Sequence, residues 1–350
     1  MTAQTFDHDF AKMIDLFRRE LELCKVRPGE KVAILTEGDA FADRARAFEI
    51  AVKDLGAEAV MVQVGAGQET LAPSERMAAI GQNGLGQDSK AMAQLKQADL
   101  VIDMMLLLFS KEQIEIQEAG ARVLLVVEPL ETLDRLFPTE DLRRRVEAGE
   151  RRLKAARRLR FTNAAGTDVT YELDRRPVLT EYGFTDTPGR WDHWPGGFLA
   201  TIAREGGVNG KVVLNRGDII YPLMKQVEEP IHLTIENGFV TAIDGGEEAQ
   251  AFKAYMDGYD DPRAYAISHI GWGLNERCEW TLDRPGIGMD GRAFYGNVLF
   301  STGPDTELGG VNDTICHLDI PMRDCTLTLD DELIVDAGRI VPDDMRVPGR

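Results

Sequence analysis

The sequence predicts two domains: an N-terminal α/β domain with a doubly wound parallel sheet, and a C-terminal α+β domain with a mainly antiparallel sheet. A chain of 350 residues exceeds the usual size of one domain. Continuous apolar runs alternate with helix-like segments up to about residue 135, whereas apolar and polar residues alternate with a period near two beyond about residue 159. We therefore expect one domain at residues 1–158 and a second at 159–350.

Four short apolar runs rich in β-branched residues predict the strands of the first domain, at residues 31–37, 57–65, 98–108 and 121–129. The segment 40–56 has apolar residues at helical spacing and ends at Gly56, where a helix C-cap is favoured. Buried strands that alternate with helices are typical of a parallel sheet covered on both faces. No GxGxxG motif follows the first strand, so nothing favours dinucleotide binding.

The second half contains several runs that alternate apolar and polar residues, such as KVVLNRGDIIYP and IHLTIENGFVTAIDGG. Turn signals, for example Asn237 followed by Gly238, separate these runs and predict hairpins. One clear helix is predicted at 247–258, and the charged segment 138–159 predicts another helix that leads into this half. These patterns indicate an α+β domain.

Composition limits the classes of partner. The formal net charge of −19 opposes binding to a nucleic-acid backbone, and we interpret the basic stretch 143–160 as a solvated helix face or a subunit contact. The sequence has no signal peptide and no apolar run long enough to span a bilayer, so we expect a soluble cytoplasmic protein. Its four cysteines form no CxxC pair, which excludes a Cys-based zinc site and predicts thiols.

The sharpest chemical signal is CHLDIPM at residues 316–322. Successive side chains of a strand point to opposite faces, so His317 and Asp319 share one face. An imidazole and a carboxylate presented together suit two positions of a 2-His-1-carboxylate metal site. A surface pair on an exposed strand is the alternative.

His269 is the better candidate for the third ligand, because it lies between an apolar strand-like run and a Gly-Trp-Gly turn. Glycine there would let the backbone approach a bound group closely. A core histidine bonded to a backbone carbonyl is the alternative. His8 and His232 lie in ordinary surroundings and are not favoured.

The segment 180–198 places Glu181, Trp191 and His193 beside turn-forming proline and glycine. Aromatic faces with an acid and an imidazole would suit a flat polar ring, whereas the alternative is a structural loop whose tryptophans fill a domain interface.

The segment 289–310 offers further donors to a ligand oxygen. Arg292, Tyr295 and Ser301 precede a Gly-Pro turn there, and we expect them to contact the substrate.

These motifs together resemble the 2,5-dihydroxypyridine 5,6-dioxygenases, the ring-opening enzymes of nicotinate catabolism. The resemblance rests on five stretches spread from about residue 100 to 325: VIDMMLLLFS, TEYGF followed by PGRWDHWPGGF, ISHIGWGL, GRAFYGNVLFSTGP and CHLDIPMRDC. It implies a homo-oligomer that binds a small aromatic N-heterocycle and O₂.

The resemblance also implies residue roles. His269, His317 and Asp319 would hold one Fe(II) per chain, and Glu181, His193, Arg292 and Ser301 would line the pocket, with His193 the first choice and Glu181 the second for proton transfer. The expected reaction is an extradiol-like cleavage across C5–C6 that gives N-formylmaleamate.

One substrate-pocket position departs from the family. The resemblance implies a histidine acting as an acid or base where this chain has Phe109, which cannot carry a proton. Proton transfer would then belong to His193 or Glu181, or the substrate would be another hydroxylated heterocycle.

Two other functions stay open at this point. Thermophilic-type metal aminopeptidases share the two-domain arrangement and an HxD motif but use two metal ions and further carboxylates, which are not obvious here. A catalytically silent ligand-binding relative is suggested only by Phe109.

Overall fold

The computed structural model describes residues 3–39, 41–65, 83–108, 110–284 and 286–349. Two compact units are present. The first comprises the described residues up to Pro138 together with Tyr182–Gly196, and the second comprises Thr139–Glu181 and the described residues from Gly197 onwards. The domain boundary predicted at residue 158 stays a prediction, because compactness alone does not define an independently folding domain.

The first unit contains a parallel sheet, as predicted, and this sheet has a fifth strand beyond the four that the sequence indicates. Numbered along the chain, its strands are β1 Lys31–Glu37, β2 Glu58–Val64, β3 Leu100–Asp103, β4 Arg122–Leu125 and β8 Trp191–His193. Their order in the sheet is β2-β1-β3-β4-β8, and each neighbouring pair is parallel. The α-helices described in this unit are α1 Ala3–Leu23, α2 Ala42–Asp54, α3 Ser89–Leu95, α4 Lys111–Glu118 and α5 Leu130–Arg135, with a 3-10 turn at Leu85–Gln87.

The apolar run predicted as a strand at 98–108 ends early, at Asp103. The carboxylate of Asp103 is buried and accepts hydrogen bonds from the backbone N–H groups of Met105 (2.8 Å) and Leu107 (2.9 Å). These bonds fold the chain back at the carboxyl end of β3, so the apolar residues that follow are buried in a turn and not in a strand.

The second unit is built on antiparallel sheets. Its strands are β5 Arg158–Thr162, β6 Asp168–Glu172, β7 Val178–Glu181, β9 Phe198–Thr201, β10 Val208–Leu214, β11 Ile219–Ile220, β12 Lys225–Gln226, β13 Ile231–Glu236, β14 Phe239–Gly245, β15 Ile267–Gly273, β16 Val298–Thr302, β17 Leu318–Met322, β18 Thr326–Leu329, β19 Glu332–Asp336 and β20 Arg339–Ile340. They form an eight-stranded sheet (β14-β13-β10-β6-β5-β18-β19-β20), a five-stranded sheet (β17-β16-β15-β9-β7) and the pair β11-β12. Its helices are α6 Glu140–Ala155, α7 Glu247–Asp257 and α8 Met289–Arg292, with 3-10 turns at Pro262–Tyr265 and Thr306–Leu308.

The two larger sheets of this unit meet through aromatic side chains. The ring centroids of Phe161 on β5 and Phe300 on β16 are 6.5 Å apart, and both rings are fully buried. The five-stranded sheet is buried almost throughout, which gives the strands that carry the candidate ligands a rigid frame.

The charged helix ends earlier than predicted. It stops at Ala155, and β5 begins at Arg158 because the alternation of Leu159 and Phe161 buries one face of a strand. The basic residues of α6 form ion pairs within the second unit, including Lys154 with Glu150 on the solvated face. Arg145 instead is buried and pairs with Glu276.

Two further predictions from the sequence concern the cysteines and membrane-spanning helices. All four cysteines are buried free thiols, as predicted. Among the helices of the described ranges, none is long and apolar enough to cross a membrane.

Candidate active site

The structure brings the three predicted metal ligands together. His269 lies on β15, Asp319 lies on β17, and His317 directly precedes β17. The Nε2 atoms of both imidazoles lie 3.2 Å from Oδ1 of Asp319, and the ring centroids are 5.4 Å apart. His269, His317 and Asp319 are only 3%, 6% and 5% exposed, so the HxD motif is not a surface pair.

His269 reaches this position through an irregularity in its strand. Between β15 and β16 the pairing runs from Ile267 opposite Thr302 to Ile270 opposite Phe300, so β15 has one extra residue. Such a bulge re-aims a side chain next to a site. The buried hydroxyl of Ser301 donates a 2.7 Å hydrogen bond to the carbonyl of His269 and holds the bulge in place.

His317 and Asp319 share one face of their strand, as the alternation predicts. Asp319 is paired directly with Ser301 on β16. Gly303 follows β16 with φ +113°, and a Cβ there would lie 3.0 Å from the Cα of His317. Glycine at this position therefore allows the end of β16 to pass close to the backbone of His317.

Arg292, at the end of α8, determines which oxygen of Asp319 is available. Its Nε donates to Oδ2 of Asp319 at 2.6 Å, and its Nη1 donates to the carbonyl of Ile287. Burial alone would raise the pKa of Asp319, but the neighbouring His317 imidazole and Arg292 guanidinium hold that pKa well below its usual range. Asp319 is thus an anion with Oδ2 occupied and Oδ1 facing the two imidazoles.

The donor set fits a transition-metal ion. Oδ1 of Asp319 accepts no hydrogen bond from any described residue, although two ring nitrogens lie near it. Ligand atoms about 2.1 Å from one ion and at right angles to each other lie about 3.0 Å apart, close to the separations found here. Nδ1 of His269 has no hydrogen-bond partner among the described residues, which removes the alternative of a core histidine bonded to a backbone carbonyl.

Tyr295 is engaged elsewhere in the second unit. Its hydroxyl accepts a 3.0 Å hydrogen bond from the backbone N–H of Val347, and the guanidinium of Arg145 lies 6.0 Å from its ring centroid. Glu181 is a buried residue at the end of β7 in this unit. Their expected roles at the substrate stay predictions.

His193 and Trp191 belong to the first unit, where they lie on β8 with ring centroids 6.3 Å apart. The carboxylate of the intervening Asp192 accepts hydrogen bonds from the backbone N–H groups of His193 (2.8 Å) and Gly183 (2.9 Å) and from Arg190 Nη2 (2.6 Å). His193 is therefore a buried imidazole on a firmly held backbone, at the carboxyl end of a parallel strand, where such sheets commonly bind ligands.

The remaining aromatic residue of this loop is structural. Trp194 is fully buried, donates from its indole nitrogen to the carbonyl of Leu133 at 3.1 Å and packs edge-on against Phe17 and Phe137. Phe109, the predicted substrate contact that departs from the family, lies outside the described residues.

Two residues near the proposed ligands carry no signal in the sequence. Tyr221 is fully buried, exchanges backbone hydrogen bonds with Asp319 and stacks against Arg292. Both carboxylate oxygens of Glu307 are buried without a partner among the described residues, and burial, with repulsion from Asp305 and Asp319, raises the pKa of Glu307 to about 8. No local motif marks either residue: the partners of Tyr221 lie far away in sequence, and Glu307 lies in an ordinary 3-10 turn.

Two comparisons with known proteins match nearly the whole chain to the same kind of enzyme. A family model described as 2,5-dihydroxypyridine 5,6-dioxygenase matches residues 12–342. The 2,5-dihydroxypyridine 5,6-dioxygenase of Pseudomonas putida KT2440 is 46% identical over 343 residues, which cover 96% of this chain and 98% of that protein. The sequence resemblance is thereby confirmed.

Two solved structures are similar. The 2,5-dihydroxypyridine dioxygenase from Pseudomonas putida KT2440 has a TM-score of 0.92 at 44% identity, covering 96% of this chain and 99% of that one. Wild-type AmpT from Thermus thermophilus has a TM-score of 0.64 at 14% identity, covering 96% and 100%, a likeness that shows the fold alone. The extent of the family match and the 46% identity to the Pseudomonas putida enzyme show that this chain belongs to the 2,5-dihydroxypyridine 5,6-dioxygenase family of ring-cleaving oxidoreductases.

Proposed function

We propose that this chain opens the ring of 2,5-dihydroxypyridine with O₂, using one Fe(II) held by His269, His317 and Asp319. The C5–C6 bond breaks and each of its carbons gains one oxygen atom, which gives N-formylmaleamate. Substrate and O₂ together have the composition of this product, so no other oxidant or reductant is required. The cytoplasmic location and the homo-oligomeric state expected from the sequence remain part of this proposal.

One observation carries the assignment: a buried set of two imidazoles and one carboxylate whose Oδ1 accepts no hydrogen bond from the described residues. Two histidines and one carboxylate that leave other positions open are typical of non-haem Fe(II) oxygenases. Fe(II) in this site would supply Lewis acidity and a common binding place for the ring oxygen and O₂.

Arg292 would bind and orient the substrate. Its Nη2 is buried and has no hydrogen-bond partner among the described residues, while its other donors are used by Asp319 and Ile287. A buried donor without a partner costs free energy, and a charged donor binds an anionic oxygen strongly. We therefore assign Nη2 to a ring oxygen of the substrate.

Ser301 would support the site indirectly. Its hydroxyl already donates to the carbonyl of His269, so it keeps a ligand in position and is not a free donor for the substrate. Trp191 and Tyr295 remain expected substrate contacts.

The substrate hydroxyl must lose its proton to become an electron-rich anion. His193 is our first choice as the acceptor and Glu181 the second, since Phe109 has no proton-accepting group. A positioned acid or base typically contributes a factor of about 10² to 10⁴ in rate.

The proposal is tested by oxygen uptake. The protein is reconstituted anaerobically with Fe(II) and mixed with 2,5-dihydroxypyridine and O₂, and the loss of ring absorbance is followed in parallel. We expect one O₂ consumed per ring lost. His317→Ala and Asp319→Ala should lose both bound iron and turnover, because each removes one of three ligands.

Matched controls are available in the same unit. His232→Ala and Asp244→Ala change an exposed histidine and an exposed aspartate on β13 and β14, and both should keep iron and activity. Full iron content in the His317 and Asp319 variants would overturn the ligand assignment. Hydrolysis of peptides with two Zn(II) or Co(II) ions per chain, and no oxygen uptake, would replace the proposed reaction with that of a metal aminopeptidase.

A further inference from the structure

Tyr221 is tied directly to a proposed metal ligand. It follows β11, is 1% exposed, and pairs with Asp319 through two backbone hydrogen bonds: the N–H of Tyr221 donates to the carbonyl of Asp319 at 2.9 Å, and the N–H of Asp319 donates back at 3.2 Å. The backbone of Tyr221 is therefore in a fixed position relative to that of Asp319.

The side chain of Tyr221 reaches the neighbouring Arg292. The Cζ atom of Arg292 lies 4.3 Å from the centroid of the tyrosine ring, which is a cation–π contact. The guanidinium thus has the ring against its face, Oδ2 of Asp319 at Nε and the carbonyl of Ile287 at Nη1. These three contacts determine the direction in which Nη2 points.

The ring itself is held by the backbone around α8. A Cβ added at Gly288 would collide with the ring, and one added at Gly291 would lie 2.6 Å from the Tyr221 hydroxyl oxygen. The two glycines therefore let the main chain pack directly on the ring, which leaves the tyrosine little freedom to tilt.

We propose that Tyr221 is a positioning residue: its ring holds the Arg292 guanidinium so that Arg292 occupies Oδ2 of Asp319, leaves only Oδ1 for the metal, and directs Nη2 toward the substrate oxygen. The inference rests on the proposed function, because it takes His269, His317 and Asp319 as the ligands. Residues that orient a metal ligand from outside the coordination shell typically contribute a factor of about 10 to 100 in metal affinity or activity.

The test compares variants that keep or remove the ring face. Tyr221→Phe keeps the ring, and we expect metal affinity and kinetics close to those of the unchanged chain. Tyr221→Met fills much of the space with a flexible apolar side chain that has no π face. We expect it to weaken metal binding, measured by competition with a chelator, by about 10-fold or more, and to change the visible absorption spectrum of the Co(II)-substituted protein, which reports the coordination of the ion.

Tyr171→Met is the matched control. Tyr171 is also a fully buried tyrosine of the second unit, but it lies on β6 and packs near Phe161 with ring centroids 6.4 Å apart. Both Met variants should lower the melting temperature, and only Tyr221→Met should change metal affinity and the Co(II) spectrum. An equal change in both variants would mean that loss of a buried ring acts through general stability, and would overturn the proposal.

A double-mutant cycle tests whether Tyr221 affects metal affinity through Arg292. If Tyr221 acts through Arg292, Tyr221→Met should have no further effect on metal affinity in an Arg292→Met background. Independent, additive effects would overturn the proposal, as would a Tyr221→Phe variant as impaired as Tyr221→Met. Tyr221→Phe removes only one oxygen atom, so a 10-fold or greater loss of metal affinity in Tyr221→Phe relative to the unchanged chain would overturn the proposal even if Tyr221→Met does not fold.

The proposed function fails in a different way. If His317→Ala leaves metal affinity unchanged, the ligand assignment is wrong and the proposal for Tyr221 falls with it. If His317→Ala abolishes binding while Tyr221→Met behaves like Tyr171→Met, the metal site stands and only the role of Tyr221 is rejected.

Discussion

His193 differs from the proposed ligands in how it is held. It is buried on β8, and the carboxylate of Asp192 fixes its backbone N–H, so its imidazole is presented from a rigid strand end. A histidine has the ordinary pKa best suited to accept a proton near neutral pH. These features support our proposal that His193 accepts the proton of the substrate hydroxyl.

We expect His193→Ala to keep its iron and to lower kcat by about 10² or more, because the proton-transfer step loses its base while the metal ligands are unchanged. Iron content and kcat are measured on the same preparations, with the exposed His232→Ala as control. Wild-type kinetics in His193→Ala would remove it from the proton path and leave Glu181→Gln as the variant to examine.

The residues of the site were predictable to different degrees. His317 and Asp319 follow from the alternation of a strand, because that rule needs only their spacing of two. The surroundings of His269 in the sequence favour it as a ligand, yet the bulge that aims its side chain depends on pairing with β16 and cannot be predicted from its own segment. The contact of Arg292 with Tyr221 joins segments far apart in the chain, so no local sequence pattern predicts it.

At the scale of elements, Asp103 decides where β3 ends. Its buried carboxylate accepts the N–H groups of Met105 and Leu107, and burial, only partly offset by these bonds, raises its pKa from 3.8 to about 6. Between these two pH values the folded chain binds more protons than the unfolded chain. The free energy of unfolding contributed by this group therefore falls as pH rises through that window, by at most about 1.4 kcal/mol per pH unit.

We expect Asp103→Ala to lower the free energy of unfolding by roughly 2–4 kcal/mol at pH 5, because two buried N–H groups lose their acceptors. The deficit should shrink as pH rises from about 4 to about 6 and level off above that, since the unchanged chain bears the cost of a buried anion once Asp103 has lost its proton. Denaturant unfolding of metal-free protein at pH 5, 6 and 7 measures both effects.

Asp99→Ala is the control for this prediction. Asp99 is exposed and accepts a single backbone hydrogen bond, from Lys31 at 2.8 Å. Asp99→Ala should lower the free energy of unfolding by less than Asp103→Ala at pH 5, because only one hydrogen bond at an exposed carboxylate is lost. A deficit in Asp103→Ala that stays constant with pH would contradict the burial of a protonated carboxyl.

The same element shows why some boundaries were missed. The apolar pattern continues from Leu100 to Leu108, and only the side-chain hydrogen bonds of Asp103 end the strand. The short strand β8 was not predicted as part of the first sheet, because its pairing with β4 joins residues separated by several elements of the second unit. Strands with strong continuous or alternating patterns, such as β1 and β13, were located closely.

At the scale of the whole molecule, the order of segments along the chain does not match their division between the two compact units. The sequence changes character once, near residue 159, whereas Tyr182–Gly196 belongs to the first unit although it follows the start of the second. The periodicity of apolar residues indicates the kind of sheet in which a segment lies. It does not indicate to which unit a short segment belongs. The three proposed ligands, by contrast, all lie in the second unit, to which the sequence also assigns them.

Because all three proposed ligands lie in the second unit, we expect a bound metal to stabilise that unit more than the first. A metal present at 100 times its dissociation constant stabilises the state that binds it by about 2.7 kcal/mol. Hydrogen–deuterium exchange should therefore slow in β15, β16 and β17 when Fe(II) is added anaerobically, by up to about 100-fold for openings that break the site. Peptides covering β1 and β4 of the first unit should change far less.

Asp319→Ala provides the control for this experiment, because it removes one ligand without altering either parallel strand. It should show no metal-dependent slowing in any of these peptides. Slowing that persists in Asp319→Ala would point to a metal bound elsewhere. Equal slowing of β1, β4 and β15–β17 in the unchanged chain would mean that the two units open together, so that one metal ion in the second unit stabilises the whole molecule.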